Sequence, residues 1–231
     1  EMTSSLVGSE MCIRDRENII KVIDHHVGFE QYWNDKIMDN ANIEFIGAAA
    51  TLVFEEYEKN NMQDKMNIDV AKLLMAAILD NTLNFTATVT SNRDKRAYKK
   101  MQEIVGCKDF DKLYFNECQL QIEENLEDTI KNDTKTEKVS ENLPRVFAQL
   151  TVWNKDFLLV NIYKIKQILG DIDDEWMLNI ICLQDKRSYI IADNKNMQVK
   201  LQYLLESQFD NLIMPCLLYT SDAADDLTRV D

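Results

Sequence analysis

A short apolar, β-branched run from Asn18 to Ile23 stops abruptly at Asp24-His25-His26-Val27-Gly28. Such a run reads as a buried strand. Polar residues at a strand's carboxyl end lie where open α/β sheets bind their ligands. Both histidines of the chain sit in this one tripeptide. Imidazole and carboxylate together are the usual ligands for Mn, Zn or Fe. Adjacent strand residues point opposite ways, but that rule relaxes at a strand end, so both rings can reach the crevice. Taken alone, the tripeptide reads more readily as loop residues at a strand end than as a metal site.

The two ends of the chain read differently from its middle. Leu6 to Asp15 back-translates as CTC GTG GGC TCG GAG ATG TGT ATA AGA GAC, and Cys216 to Asp225 as TGT CTC TTA TAC ACA TCT GAC GCT GCC GAC. The two share one core in opposite orientations, as transposon-type sequencing adapters do around an insert. We therefore expect residues 1–16 and 216–231 to be adapter-derived, with the native polypeptide running from Glu17 to Pro215 and its first strands missing upstream. Segments of that kind are set aside before fold reasoning. Cys107, Cys118 and Cys182 remain, without CxxC or zinc-ligand spacing, which suits a reducing cytosol and small buried side chains.

The formal net charge is -14, from 26 basic and 40 acidic residues. That balance is a poor match for duplex nucleic acid, while a bound divalent metal can still invert the local field for a small anion. No run approaches the roughly 18–20 apolar residues that cross a bilayer. The expectation is a cytoplasmic protein without membrane contact.

After Ile43–Ile46 and Gly47, Ala48 to Asn61 has helical composition, with small residues first, where backbone can approach another group closely. Asp69 is placed as the N-cap of a buried helix, Val70–Leu79, ending near Asp80-Asn81-Thr82. A polar loop, Leu83 to Asn92, follows. Ser91 and Asp94 have capping-box spacing and open a helix from Asn92 to Val105, which Gly106 stops. Another helix is predicted from Phe110 to Ile130, then an aperiodic linker from Lys131 to Asn142. Beyond it, Arg145–Trp153 alternates as a half-buried strand, Lys155–Leu169 is helical, Trp176–Leu183 and Ser188–Ala192 are strands joined at Gln184-Asp185-Lys186, and Asn194–Glu206 is a helix. The β-α-β-β-α order predicts a small second domain, residues 131–215, after a first domain at 17–130. Trp153, Tyr163, Trp176, Tyr189 and Tyr203 read as core.

The order and spacing of Asp24-His25-His26, Ile46-Gly47-Ala48-Ala49-Ala50-Thr51-Leu52, Ala77-Ile78-Leu79-Asp80-Asn81-Thr82-Leu83-Asn84-Phe85 and Thr88–Asp94 resemble the DHH phosphoesterase superfamily. The likeness is to the branch with manganese-dependent (family II) inorganic pyrophosphatases, exopolyphosphatases and prune-like proteins. It runs from Ile19 to Asp94 and more weakly to Pro215. The resemblance implies an α/β fold: a DHH-type parallel sheet with flanking helices, plus a smaller C-terminal α+β (DHHA2-like) domain that closes over substrate. It implies that His25 binds one metal of a pair, that His26 contacts the phosphate substrate, and that Asp24 supports them. Lys135 falls where the family places a phosphate-binding lysine; a solvated linker lysine is the alternative. The implied cofactor is a divalent metal, Mn2+ first, with Mg2+ or Co2+ as alternatives. Two such ions activate water and neutralise the leaving phosphate oxygens.

Three departures from the family pattern stand out. The early Asp and His motifs belong before residue 17. The metal-ligating aspartate is replaced by Asn81, with Asp80 one residue early, so either could be the ligand. The basic pair near the last proline is missing from Ser207–Pro215, and Asp210 stands there. The expectation is a phosphohydrolase acting on a small phosphate-containing substrate of the pyrophosphate or polyphosphate class, with a homodimer as its assembly. As it stands, this chain is expected to be inactive, with an exposed sheet edge that favours self-association. The alternatives are a DHH phosphodiesterase of short oligonucleotides or cyclic dinucleotides, and a non-catalytic phosphate-binding or interaction protein.

Overall fold

The computed structural model describes residues 19–136 and 143–217. Of the stretches read as adapter-derived, 1–16 and 218–231 lie outside the described residues, as does the second half of the expected linker, 137–142. The chain divides into two compact units, one from residues 1–85 and 89–107, the other from 86–88 and 108–231.

In the first unit, β1 (Val22–Asp24) and β2 (Ala41–Ile43) pair in parallel, with Ile23 opposite Asn42, and α1 (Glu30–Ile37) connects them. The strand is shorter than the apolar run that predicts it. Three helices follow: α2 (Ala49–Lys59), α3 (Ile68–Asn81) and α4 (Asn92–Val105). Their inward faces bury Leu52, Phe54, Met75, Ile78, Leu79, Ala97 and Met101. This helical layer, more than the two-stranded sheet, is the hydrophobic interior of the unit.

The ends of these helices follow local chemistry. The cap of α3 is Asn67, whose side chain accepts the Asp69 N–H at 2.8 Å, so Asp69 is not the N-cap. It lies inside the first turn, where a carboxylate faces the positive end of the helix dipole. The capping box of Ser91 and Asp94 forms as expected, and Gly106 ends α4 in the left-handed conformation at φ 70°. On the outer surface Arg93 donates to Glu44 at 2.6 Å and to Glu55 at 2.9 and 2.5 Å. Arg96 and Lys100 extend this ladder to Glu58 and tie α4 to α2. After α3 the chain turns through three successive left-handed residues, Leu83, Asn84 and Phe85, at φ 46°, 53° and 62°.

The second unit begins with α5 (Phe110–Glu124) and α6 (Leu126–Asn132). The single helix predicted from Phe110 to Ile130 is broken at Asn125, whose φ of -123° and ψ of 38° are not helical. The break sets Leu126 and Ile130, 1% and 0% exposed, into the core of this unit. Residues 108–130 are thus grouped with this unit. The expected linker is partly structured. Lys131 and Asn132 finish α6, and β3 (Thr134–Lys135) pairs antiparallel with β4 (Val146–Val152), Lys135 opposite Phe147.

The rest of the unit is α7 (Asp156–Gly170), β5 (Trp176–Cys182), β6 (Arg187–Ile191), α8 (Lys195–Leu205) and β7 (Ile213–Leu217). The strands form one mixed sheet in the order β3-β4-β5-β6-β7, with only β4 and β5 parallel. Val146, Ala148, Leu150 and Val152 alternate inward along β4 as predicted and pack against α6, α7 and Trp176. A smaller cluster around Ile190, Met197, Leu201 and Met214 holds α8. Trp176 is buried, whereas Tyr163 and Tyr203, read as core, are exposed on α7 and α8. Their helices turn those positions away from the sheet.

Strand β7 has no counterpart in the sequence reading. It tolerates Pro215 because it borders the sheet, where a missing N–H disturbs no second neighbour. Cys216 and Leu217 continue it opposite Ser188 and Arg187. Ladder pairing asks only for backbone groups. Among the described residues no helix is long and apolar enough to cross a membrane.

Candidate metal centre

The end of β1 delivers Asp24, His25 and His26 to one spot. One ligand atom from each lies within 4.8 Å of the others. The two imidazole centroids are 4.3 Å apart and the rings meet edge to face.

Asp24 organises the turn. Its Oδ1 accepts the His25 backbone N–H at 2.7 Å, the His26 backbone N–H at 3.2 Å and the His26 ring Nδ1 at 2.8 Å. Partial burial pushes the Asp24 carboxyl up. The hydrogen bonds from the His26 ring and from both backbone N–H groups outweigh it, so the group lies below its ordinary value and is ionised at neutral pH.

An ionised carboxylate can only accept, so His26 carries its proton on Nδ1. His25 is fixed the same way by a different partner. Its Nδ1 is 3.2 Å from the carbonyl oxygen of Ile46, which can only accept as well. With the Nδ1 position of each neutral ring used for a hydrogen bond, Nε2 of each carries a lone pair. A metal-binding imidazole has this arrangement, one nitrogen held by a backbone or carboxylate oxygen and the other left as a donor. The donor set therefore fits a borderline divalent ion such as Mn2+ or Zn2+. His25 is half-buried and His26 exposed, which suits His25 to hold an ion and His26 to reach a solvent-borne ligand.

Asp80 and Asn81 are exposed on the last turn of α3, and Asp80 is not among the carboxylates that gather with the histidines. Lys135 belongs to the other unit, exposed on β3.

Behind the site lies a residue that the sequence reading used only as a helix cap. Asp94 is fully buried and accepts four hydrogen bonds: Thr51 Oγ1 at 2.6 Å, Ser91 N at 2.8 Å, Ser91 Oγ at 2.7 Å and Gly47 N at 3.3 Å. All four of these partners are donors, so the hydrogen-bonding capacity of the buried carboxyl is well used. Gly47 permits this approach. A Cβ there would stand 2.7 Å from Asp94 Oδ2 and 2.8 Å from Thr82 Cγ2. The run of small residues after Ile46 was the sequence signal for such a contact.

With this geometry established, the chain can be set beside known proteins. No family model matches it. It is 32% identical over 92 residues to the manganese-dependent inorganic pyrophosphatase of Methanothrix thermoacetophila, a stretch covering 39% of this chain and 28% of that protein. It is 31% identical over 101 residues to the manganese-dependent inorganic pyrophosphatase of Bacillus subtilis, covering 42% and 31%. The matched stretch thus spans under a third of the length of these curated relatives. In fold it resembles the crystal structure of a Methanococcus jannaschii protein assigned as a family II inorganic pyrophosphatase, with a TM-score of 0.57, 19% identity, and coverage of 88% of this chain and 69% of that one. The chain is a distant homologue, over the matched stretch, of manganese-dependent inorganic pyrophosphatases.

Proposed function

We propose that this protein belongs to a metal-dependent phosphohydrolase that cleaves phosphoanhydrides of the pyrophosphate or polyphosphate class, with Mn2+ as the first-choice ion. The observation that carries this reading is the pair of imidazoles at the end of β1, each with Nδ1 occupied by a fixed oxygen. The distant homology to manganese-dependent pyrophosphatases supports the substrate class.

In this reading His25 holds the ion through Nε2. Asp24 stays ionised, fixes both rings and contributes negative charge beside the ion. His26, exposed and oriented by Asp24, contacts a phosphate oxygen of the substrate through Nε2. When bound, the metal supplies charge neutralisation at the phosphate and activation of water. Lys135 contacts the substrate phosphate, and either Asp80 or Asn81 adds a ligand to the metal.

Among the described residues only Asp24, His25 and His26 gather as metal donors, fewer than a pair of ions requires. The chain itself should therefore bind Mn2+ and release phosphate slowly or not at all. Titration of Mn2+ followed by electron paramagnetic resonance, with a parallel assay of phosphate release from pyrophosphate, tests this. We expect binding in the wild type and its loss in His25→Ala. Absence of Mn2+ binding by the folded wild type would refute the reading. Binding of both Mn2+ and pyrophosphate without release by a longer protein that contains this chain would favour a non-catalytic phosphate-binding protein.

A further inference from the structure

The peptide bond between Ile46 and Gly47 is held from both sides. Its carbonyl oxygen, on Ile46, faces His25 Nδ1 at 3.2 Å, and its N–H, on Gly47, faces Asp94 Oδ2 at 3.3 Å. In a trans peptide these two groups point in opposite directions across one plane. A buried carboxylate on the N–H side therefore polarises the carbonyl on the other side and strengthens it as an acceptor, the usual cooperativity of hydrogen bonds in series.

We infer that Asp94 is a positioning residue for His25. It acts through the Ile46–Gly47 peptide to keep the imidazole proton on Nδ1 and Nε2 open. Asp94 does not touch the ring, and no simple helix-capping role requires the link. A capping box is complete with Ser91 and Asp94 alone. The additional bonds, from Thr51 Oγ1 and Gly47 N, come from residues 43 and 47 positions away. They bring the loop after β2, the start of α2 and the start of α4 onto one charge. Gly47 is part of the same device, since any Cβ there would collide with Asp94 Oδ2.

This inference rests on the reading of His25 as a metal ligand for its purpose, but not for its test. The direct readout is the His25 ring tautomer, taken without metal from long-range 1H–15N correlation spectra of the full chain at a pH of about 8, above the ordinary imidazole range. The wild type should show His25 protonated on Nδ1. The near-isosteric Asp94→Asn and the clashing Gly47→Ala should move it toward the Nε2-protonated form that a free imidazole favours. Thr51→Val removes a bond to the other carboxylate oxygen and should leave the tautomer unchanged. Affinity for Mn2+ should fall about tenfold or more in the first two variants, as for other groups that orient metal-binding histidines, and stay within twofold in the third. Far-UV circular dichroism reports folding in each case. A wild-type His25 protonated on Nε2 overturns the inference before any variant is made. So does a tautomer unmoved in folded Asp94→Asn, or a shift as large in Thr51→Val, which would mark a general loosening. If the chain fails to bind Mn2+ while the tautomer responds as stated, the proposed function fails and the positioning role stands.

Discussion

Asp94 gathers the loop after β2, the start of α2 and the start of α4 through hydrogen bonds from Gly47, Thr51 and Ser91. Replacing it with alanine leaves the buried Gly47 N–H and Thr51 hydroxyl without this acceptor and removes its half of the capping box, while Ser91 still caps α4. An orphaned buried donor costs about 1–3 kcal/mol. Asp94→Ala should therefore destabilise the unit by about 3 kcal/mol or more, read as a drop in the urea midpoint of its helical signal; a change under about 1 kcal/mol would show that water replaces these bonds readily. At Tyr189 a second prediction concerns pH. Burial, with the hydrogen bond to Asp185 at 2.7 Å and the negative charge of that residue, pushes the phenol from 10.0 up to about 12. The folded state thus favours the protonated ring. Its contribution to stability is fully present below pH 10 and is lost as pH rises from 10 to 12. The stability difference between wild type and Tyr189→Phe should hold constant up to about pH 10 and then shrink, whereas a difference that stays flat to pH 12 would contradict the assignment. Sequence alone exposed part of this. The Asp24-His25-His26 string and the Ser91–Asp94 spacing are local patterns. The contacts from Asp94 to Gly47 and Thr51 span more than forty residues, so no local pattern could announce them.

Helix ends were the most legible elements, because capping chemistry is written within a few residues. Gly106 illustrates why. It ends α4 at φ 70°, and a Cβ there would touch nothing within 4 Å. Gly106→Ala should thus cost only the left-handed backbone penalty, about 1 kcal/mol, measured as a small midpoint shift with an unchanged denaturant slope. A larger loss would mean that the added methyl group disturbs packing. The misplaced cap of α3 is the converse case. Asn67 and Asp69 both have capping side chains two residues apart, and Ile68 between them gave no reason to prefer either. The break at Asn125 was hidden by apolar residues that continue on both sides of it. Strand β7 was hidden because Pro215 argues against a strand unless its neighbours in the sheet are known.

At the scale of the whole molecule, the placement of α5 and α6 decides what can fold alone. Composition drew a boundary at residue 130, since the stretch after it is polar and aperiodic. Leu126 and Ile130, which lie before that boundary, are sealed against β4, α7 and Trp176. Emptying a fully buried leucine or isoleucine position costs about 2–5 kcal/mol, so losing both removes about 4–10 kcal/mol. That is comparable with the entire stability of a typical domain, about 5–15 kcal/mol. Two fragments distinguish the boundaries. Residues 108–217 should give near-UV circular dichroism from Trp153 and Trp176 and a single cooperative urea transition. Residues 131–217 retain every strand of the five-stranded sheet, but should lack the near-UV signal and unfold without a sharp midpoint. A cooperative transition in the shorter fragment would mean that the sheet, α7 and α8 make a sufficient core without α6, and that the compositional boundary is also the folding boundary.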